Sequence, residues 1–342
     1  MSIRVLIVDD SPTMRALLTA LLRGEPDIEV IGTAVDANDA RAQIRALDPD
    51  VVTLDIEMPG MSGLDFLERL MRLRPTPVVI VSGLTQQGAE ITATALSMGA
   101  VDCYAKPQGR PGALLSCDGG RLAQSIRAAA ATRGRQIDVR PARAAIADGQ
   151  RRQDIELIAV GSSTGGVEAL HVLLGSFPAD CPPTVIVQHI NGHFASAVAR
   201  RLDECCAPKV QLADSDIRLM PGNVYLAPGN ERHLIVRGTG PYTAKLRPGD
   251  PVSGHRPSVD ALFHSVAESL GARAVGVLLT GMGQDGAHGL LAMKRAGATT
   301  IAQDEASSTV FGMPRAAIQL GAAGRVAGLG EIAGYALGAG RA

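Results

Sequence analysis

The chain has 342 residues, 46% of them hydrophobic and 20% charged, which excludes disorder and leads us to expect more than one folded domain. With 33 Lys+Arg against 34 Asp+Glu, the formal charge is −1, which removes the electrostatic case for nucleic acid or an anionic membrane as main partner. No run approaches the roughly 18 apolar residues of a membrane span. Acids interrupt the opening MSIRVLIVDD where a signal peptide would still be apolar, and five irregularly spaced cysteines form neither a disulfide framework nor a zinc knuckle, so a cytoplasmic protein is expected.

The first segment alternates strand and helix patterns. Ile3–Asp10 is an apolar strand ending in acids, and Ser11-Pro12 then opens a helix as N-cap and first-turn proline. IEVIGTAV, Val51–Asp55, Pro77–Ser82 and Val101–Pro107 are further strands, with helical spacing between them and a last helix from about Arg121. Continuous apolar strands separated by helices indicate a doubly wound parallel sheet. The stretch from Ala128 to Gln153 is rich in arginine and loses apolar periodicity, so it reads as a basic linker.

The second segment begins in the same style, with strands at Ile155–Gly161, Pro183–Gln188, Ala274–Gly281 and Thr299–Gln303. Helical patterns lie at Val167–Leu174, Phe194–Leu202, Val259–Leu270 and Ala287–Arg295. Its middle carries NVYLAP, HLIVR and YTAKLR, short alternating runs split by Pro and Gly that predict antiparallel strands. The expected fold class is therefore α/β: two doubly wound domains, the first with five parallel strands and the second mostly parallel with a small antiparallel meander.

In an open α/β sheet the carboxyl ends of the strands meet at one edge. There the first segment places Asp9, Asp10, Asp55, Ser82 and Lys106. Three crowded carboxylates call for a hard cation such as Mg²⁺, and a lysine and hydroxyl beside it can hold phosphoryl oxygens. The chemistry this supports is attack of one carboxylate, Asp55 first among them, on a phosphodonor. The runs VDDS, LDIEMPGMSG, VSG and AKP over about Ile3–Arg127 resemble the receiver domains of two-component response regulators. That resemblance implies Asp55 as phosphoacceptor, with Asp9, Asp10, Asp55 and the backbone carbonyl of Glu57 as Mg²⁺ ligands. It also implies Ser82 as the hydroxyl switch, Tyr104 as the aromatic switch and Lys106 as the phosphoryl-sensing cation.

The second segment opens IAVGSSTGG, where Gly161, Ser163 and Gly165 satisfy G-x-S-x-G, the spacing of a nucleophile elbow. Gly-rich strand–helix turns also bind phosphate, so a receiver-controlled phosphate- or nucleotide-binding module is the alternative. His189 follows the next strand and Asp285 lies just past another, which brings a nucleophile, a base and a carboxylate to one sheet edge. Ser162 and Thr164 are alternative nucleophiles. His255 and Ser258 precede a helix, Ser258 as its N-cap, with capping or substrate contact both open for this stretch.

Read together, GSSTGG, QH, LMPGNVYLAPG, HRPSVDALFHSVA, LLTGMGQDGAHG, IAQDEAS and VFGMPR resemble the catalytic domain of the chemotaxis protein-glutamate methylesterases. The resemblance covers about Asp154–Leu329 and, with the basic stretch as linker, the expected domains are 1–127 and 154–342 joined by 128–153. It implies Ser163 as nucleophile, His189 as general base, Asp285 as its orienting partner and the Met282 backbone N–H as an oxyanion donor. Implied too are hydrolysis of γ-glutamyl methyl esters and deamidation of glutamines on methyl-accepting chemotaxis receptors, a chemotaxis-type histidine kinase as phosphodonor, and no cofactor at the esterase site. Ser162 departs from the family's usual alanine, and Ile190-Asn191 replaces a Met-Pro pair.

Overall fold

The computed structural model describes residues 2–58, 61–107, 120–134, 155–229 and 231–338. The chain divides into two compact units, Met1–Arg135 and Gln136–Ala342. Most of the expected basic linker, including Arg135, Arg140, Arg143, Arg151 and Arg152, lies outside the described residues, as does the Gly-rich stretch after the fifth strand.

In the first unit the elements run β1 (Ile3–Val8), α1 (Pro12–Leu22), β2 (Ile28–Ala34), α2 (Ala37–Leu47), β3 (Val51–Asp55), α3 (Gly63–Leu73), β4 (Val78–Ser82), α4 (Gln86–Ser97), β5 (Asp102–Ala105) and α5 (Arg121–Ala130). The sheet order is β2-β1-β3-β4-β5 and every pairing is parallel. β3 and β4 are buried along their whole length, as strands covered on both faces must be. Ser11 caps α1 by accepting from Met14 N, with Pro12 at the first helical position. The expected linker begins inside α5, because Ala128 and Ala129 face the core and carry the helix to Ala130. Just beyond, Arg133 bonds the carboxylates of both Asp48 and Asp50, at the amino end of β3.

The second unit continues with β6 (Leu157–Ser162), α6 (Gly166–Gly175), β7 (Thr184–Gln188), α7 (Gly192–Cys205), β8 (Lys209–Leu212), β9 (Ile217–Arg218), β10 (Asn223–Leu226), β11 (Arg232–Arg237) and β12 (Thr243–Pro248). Next come α8 (Val259–Leu270), β13 (Ala274–Leu278), α9 (Ala287–Arg295), β14 (Thr299–Gln303), α10 (Met313–Gln319), β15 (Arg325–Ala327) and α11 (Leu329–Ala336). Seven strands form one parallel sheet in the order β15-β14-β13-β6-β7-β10-β8. β11, β12 and β9 form a separate antiparallel sheet.

One expectation needs correction here. The NVYL run is not antiparallel: as β10 it lies between β7 and β8, parallel to both. Val224, Tyr225 and Leu226 are all buried, so the run has no solvent face, and it belongs in the main sheet rather than the meander. Phe263, Leu262 and Val266 of α8 and Leu290 and Met293 of α9 fill the core under β6 and β13, along with Leu234 and Val236 of β11.

Candidate active site and phosphorylation cluster

β6 and β7 pair in parallel with Ser162 opposite Gln188, so Ser163 and His189 each stand one residue past the end of adjacent strands. His189 N donates to Ser162 O at 3.0 Å and Ser163 N to Thr280 O at 3.0 Å, which anchors the turn between β7 and the loop after β13. Gly165 closes the turn at φ 74°, and a Cβ there would run into the Thr309 side chain. Gly281 likewise leaves room for the serine, since a Cβ on it would stand 2.7 Å from Ser163 Cβ.

The two serines of the turn have different surroundings. Ser162 is fully buried and its hydroxyl donates to Gln188 Oε1 at 2.6 Å. Gln188 Nε2 in turn donates to Ser163 O at 2.8 Å. Ser163 is at the edge of exposure, at 9%, and its hydroxyl bonds no described residue. Ser162 is thus committed to bracing the turn.

Asp285 precedes α9 and its carboxylate sits against the start of α8. Oδ1 accepts from Ser258 Oγ at 2.8 Å and from Asp260 N at 3.0 Å; Oδ2 accepts from Val259 N at 2.8 Å and lies 2.8 Å from His189 Nε2. The first N–H groups of a helix have no partner within it, and here they converge on one carboxylate. Burial would raise the Asp285 carboxyl, but His189 and the backbone N–H groups of Asp260 and Val259 outweigh it and hold the carboxyl below the usual range. An ionised carboxylate can only accept, so in this contact His189 donates from Nε2. Nδ1 is buried with no hydrogen-bond partner among the described residues.

The structure therefore brings His189 to Asp285 but makes no hydrogen bond between His189 and Ser163. Such a contact is commonly long without substrate and closes only in the complex. The N–H groups of Met282 and of Thr164, the residue after Ser163, donate to no described residue and stand free beside the turn. Thr164 was open to sequence reasoning, because the residue after an elbow nucleophile commonly supplies an oxyanion N–H. His255, left open above, stacks on His189 with ring centroids 3.8 Å apart. Ser258 does cap α8, accepting from Ala261 N at 3.2 Å, while also donating to Asp285.

In the first unit, oxygens of Asp9, Asp10 and Asp55 lie within 4.8 Å of one another. Lys106 Nζ stands 2.7 Å from Asp55 Oδ2 and 3.0 Å from Asp9 Oδ2. Burial raises the Asp9 carboxyl, with Lys106 pulling the other way. Burial alone would lower the Lys106 ammonium, but Asp55 and Asp9 overcome it and keep it above its ordinary value. One ammonium against three carboxylates leaves an excess of negative charge on hard oxygen donors, a set that suits a divalent cation such as Mg²⁺. Glu57 N donates to Asp55 Oδ1 at 3.0 Å, while its side chain accepts from Thr85 Oγ1 at 3.3 Å. The Ser82 hydroxyl faces Gly88 O at 3.3 Å and Gly83 O at 3.4 Å rather than Asp55, and Tyr104 is buried in the core of this unit.

A parallel five-stranded domain with an acidic edge cluster, followed by a second, mostly parallel α/β domain with a serine, a histidine and an aspartate at its own sheet edge, is a receiver joined to a hydrolase domain of different topology from the Ser…Asp…His enzymes. The response regulator receiver domain model matches residues 5–116 and the CheB methylesterase model residues 158–336. The chain belongs to the CheB methylesterase family. It is 52% identical over 335 residues to the protein-glutamate methylesterase/protein-glutamine glutaminase 1 of Caulobacter vibrioides, covering 96% of each chain. It is 52% identical to the Agrobacterium fabrum protein-glutamate methylesterase/protein-glutamine glutaminase, covering 93% of this chain and 91% of that one. The crystal structure of the Thermotoga maritima CheB methylesterase catalytic domain superposes with a TM-score of 0.52 at 34% identity, over 54% of this chain and 97% of that chain. Among the described residues no helix is long and apolar enough to cross a membrane.

Proposed function

We propose that the chain is a phosphorylation-regulated protein-glutamate methylesterase and protein-glutamine glutaminase, acting in the cytoplasm on methyl-accepting chemotaxis receptors. The observation that carries the site assignment is the His189 ring, one residue past the strand end beside Ser163: Nε2 bonds Asp285 Oδ2 at 2.8 Å, and Nδ1 is buried with no hydrogen-bond partner among the described residues.

In this reading Ser163 Oγ attacks the side-chain carbonyl of a γ-glutamyl methyl ester while its proton passes to His189 Nδ1. The carbonyl electrons move to oxygen, and the free N–H groups of Met282 and Thr164 receive the oxyanion. Collapse breaks the bond to the methoxy group, and His189 returns the proton so that methanol leaves. A water then gives a proton to His189 and adds to the glutamyl ester of Ser163; collapse frees the glutamate side chain and restores the serine. With glutamine the leaving group is ammonia and the steps are otherwise the same.

The receiver supplies control. Asp9, Asp10 and Asp55, whose oxygens converge, would hold Mg²⁺ together with the backbone carbonyl of Glu57, and the ion would neutralise charge around an incoming phosphoryl group. Asp55 accepts that group from a chemotaxis-type histidine kinase. Lys106, 2.7 Å from Asp55, pairs with a phosphoryl oxygen, and Ser82 and Tyr104 report its arrival. The receiver corresponds to the first unit, Met1–Arg135, and the catalytic domain to residues 154–342, joined by the rest of the basic tether.

The test is methanol release from methylated receptor fragments, measured with and without acetyl phosphate and Mg²⁺, alongside fluorophosphonate labelling. Labelling at Ser163 and faster release with the phosphodonor are expected. Absence of labelling at Ser163 would overturn the catalytic assignment in favour of a binding module.

A further inference from the structure

The contact between His189 and Asp285 fixes one point of the imidazole. It leaves rotation about the Cβ–Cγ bond, which tips the ring and moves Nδ1. The face of the ring is covered by His255. The two rings are stacked, with centroids 3.8 Å apart and planes within 6°.

His255 is itself held from several sides. Val252 and His255 exchange backbone hydrogen bonds of 3.0 and 2.9 Å. Arg256 Nη1 donates to Gly249 O at 2.8 Å, and Ser253 Oγ donates to Asp260 Oδ2 at 3.0 Å. His233 joins the two ends of the segment: its Nδ1 accepts from Ser258 N at 3.2 Å and its Nε2 donates to Asp250 O at 2.9 Å. A backbone N–H can only donate, so His233 is neutral with its proton on Nε2. A closed, cross-braced loop thus presents one flat ring to the face of another.

We propose that His255 is a positioning residue of the esterase site: its ring is a shelf that keeps His189 in the plane running from Asp285 towards Ser163. The inference rests on the catalytic reading given above. Burial, with His189 alongside, pushes the His255 imidazole down to about 4, against a smaller opposing pull from Asp285, so the shelf is uncharged at neutral pH. When His189 takes up the serine proton, it becomes a cation lying against a neutral π-face, a favourable arrangement.

The test uses the full-length protein and two variants, His255→Ala and His255→Phe, read by methanol release and by 15N spectra of the His189 ring. Loss of the shelf is expected to lower kcat by about 10- to 100-fold, the scale of a misplaced reacting group, with little change in KM. Phe restores a flat ring without a titratable group and is expected to recover most of that loss. The His189 ring signals should broaden in the Ala variant and stay sharp in the Phe variant. An unchanged kcat in His255→Ala would overturn the proposal. So would a rise in KM with kcat intact in both variants, which would make His255 a substrate contact, or equal loss in both with folding unimpaired. Fluorophosphonate labelling of the wild type separates the two failures: no label at Ser163 defeats the catalytic reading, whereas a labelled wild type with a fully active Ala variant defeats the shelf alone.

Discussion

The Ser258 hydroxyl and the Asp285 carboxylate meet across 2.8 Å. The same hydroxyl accepts from Ala261 N, so one side chain starts the helix and braces the carboxylate that orients His189. The helix start that needs acceptors is thus also the donor set that helps hold the Asp285 carboxyl below its usual range.

Asp285→Asn should fold, because an amide oxygen in the Oδ1 position can still accept from Ser258 Oγ and Asp260 N, with only Val259 N losing its acceptor. Its NH2 group no longer stabilises a proton on Nε2, and the wrong tautomer is expected to lower kcat by about 10⁴-fold in methanol-release assays. Ser258→Ala loses a cap and a carboxylate donor, and an unfolding free energy lower by about 1 kcal/mol in urea is expected.

The adjacent serines should separate cleanly. Ser163→Ala is expected to lose fluorophosphonate labelling and to drop methanol release by about 10⁴-fold or more. Ser162→Ala removes only the brace to Gln188, so it should keep its label and most of its turnover while losing about 1 kcal/mol in urea unfolding.

Acid should weaken the catalytic domain through His255. Its pKa in the folded protein, about 4, lies below the ordinary imidazole value of 6.5. Between those values the unfolded chain binds the proton and the folded one does not, so stability falls as pH drops through that window and is unaffected by this group above it. The groups bearing on the ring are His189 and Asp285. Urea unfolding at pH 7 and pH 5 should show a smaller loss for His255→Phe than for the wild type.

In the receiver, Asp55→Asn should incorporate no phosphoryl group from acetyl phosphate, and EDTA should abolish incorporation in the wild type. Incorporation of 32P into the purified chain measures both. If the Asp55→Asn protein is labelled, another side chain is the acceptor.

Gly165→Ala tests the turn itself. It combines φ 74° with a collision at Thr309, so a loss of roughly 1–3 kcal/mol in urea unfolding is expected, with reduced turnover.

The parallel strands were legible because β3, β4, β6, β7 and β13 are unbroken apolar runs. Placing Ser163, His189 and Asp285 at one edge followed from that alone. β8, β9 and β15 have two to four residues each and are not fully buried, so periodicity had nothing to detect. His255 was the harder case. Its motif was visible, but its seat on His189 depends on ties such as His233 to Asp250 and Asp285 to the start of α8, which join residues far apart in sequence. Local pattern carries no record of such closures.

The pair of ion contacts from Arg133 has a mechanical consequence. They clamp the outgoing chain beside Asp48 and Asp50, whereas Asp55 ends the five-residue strand that starts at Val51. At about 3.3 Å per residue, those contacts and Asp55 are separated by roughly a strand's length of buried sheet. The last described turn of this unit is thus fastened at the amino rim of the sheet, at the opposite end of β3 from the acidic pocket.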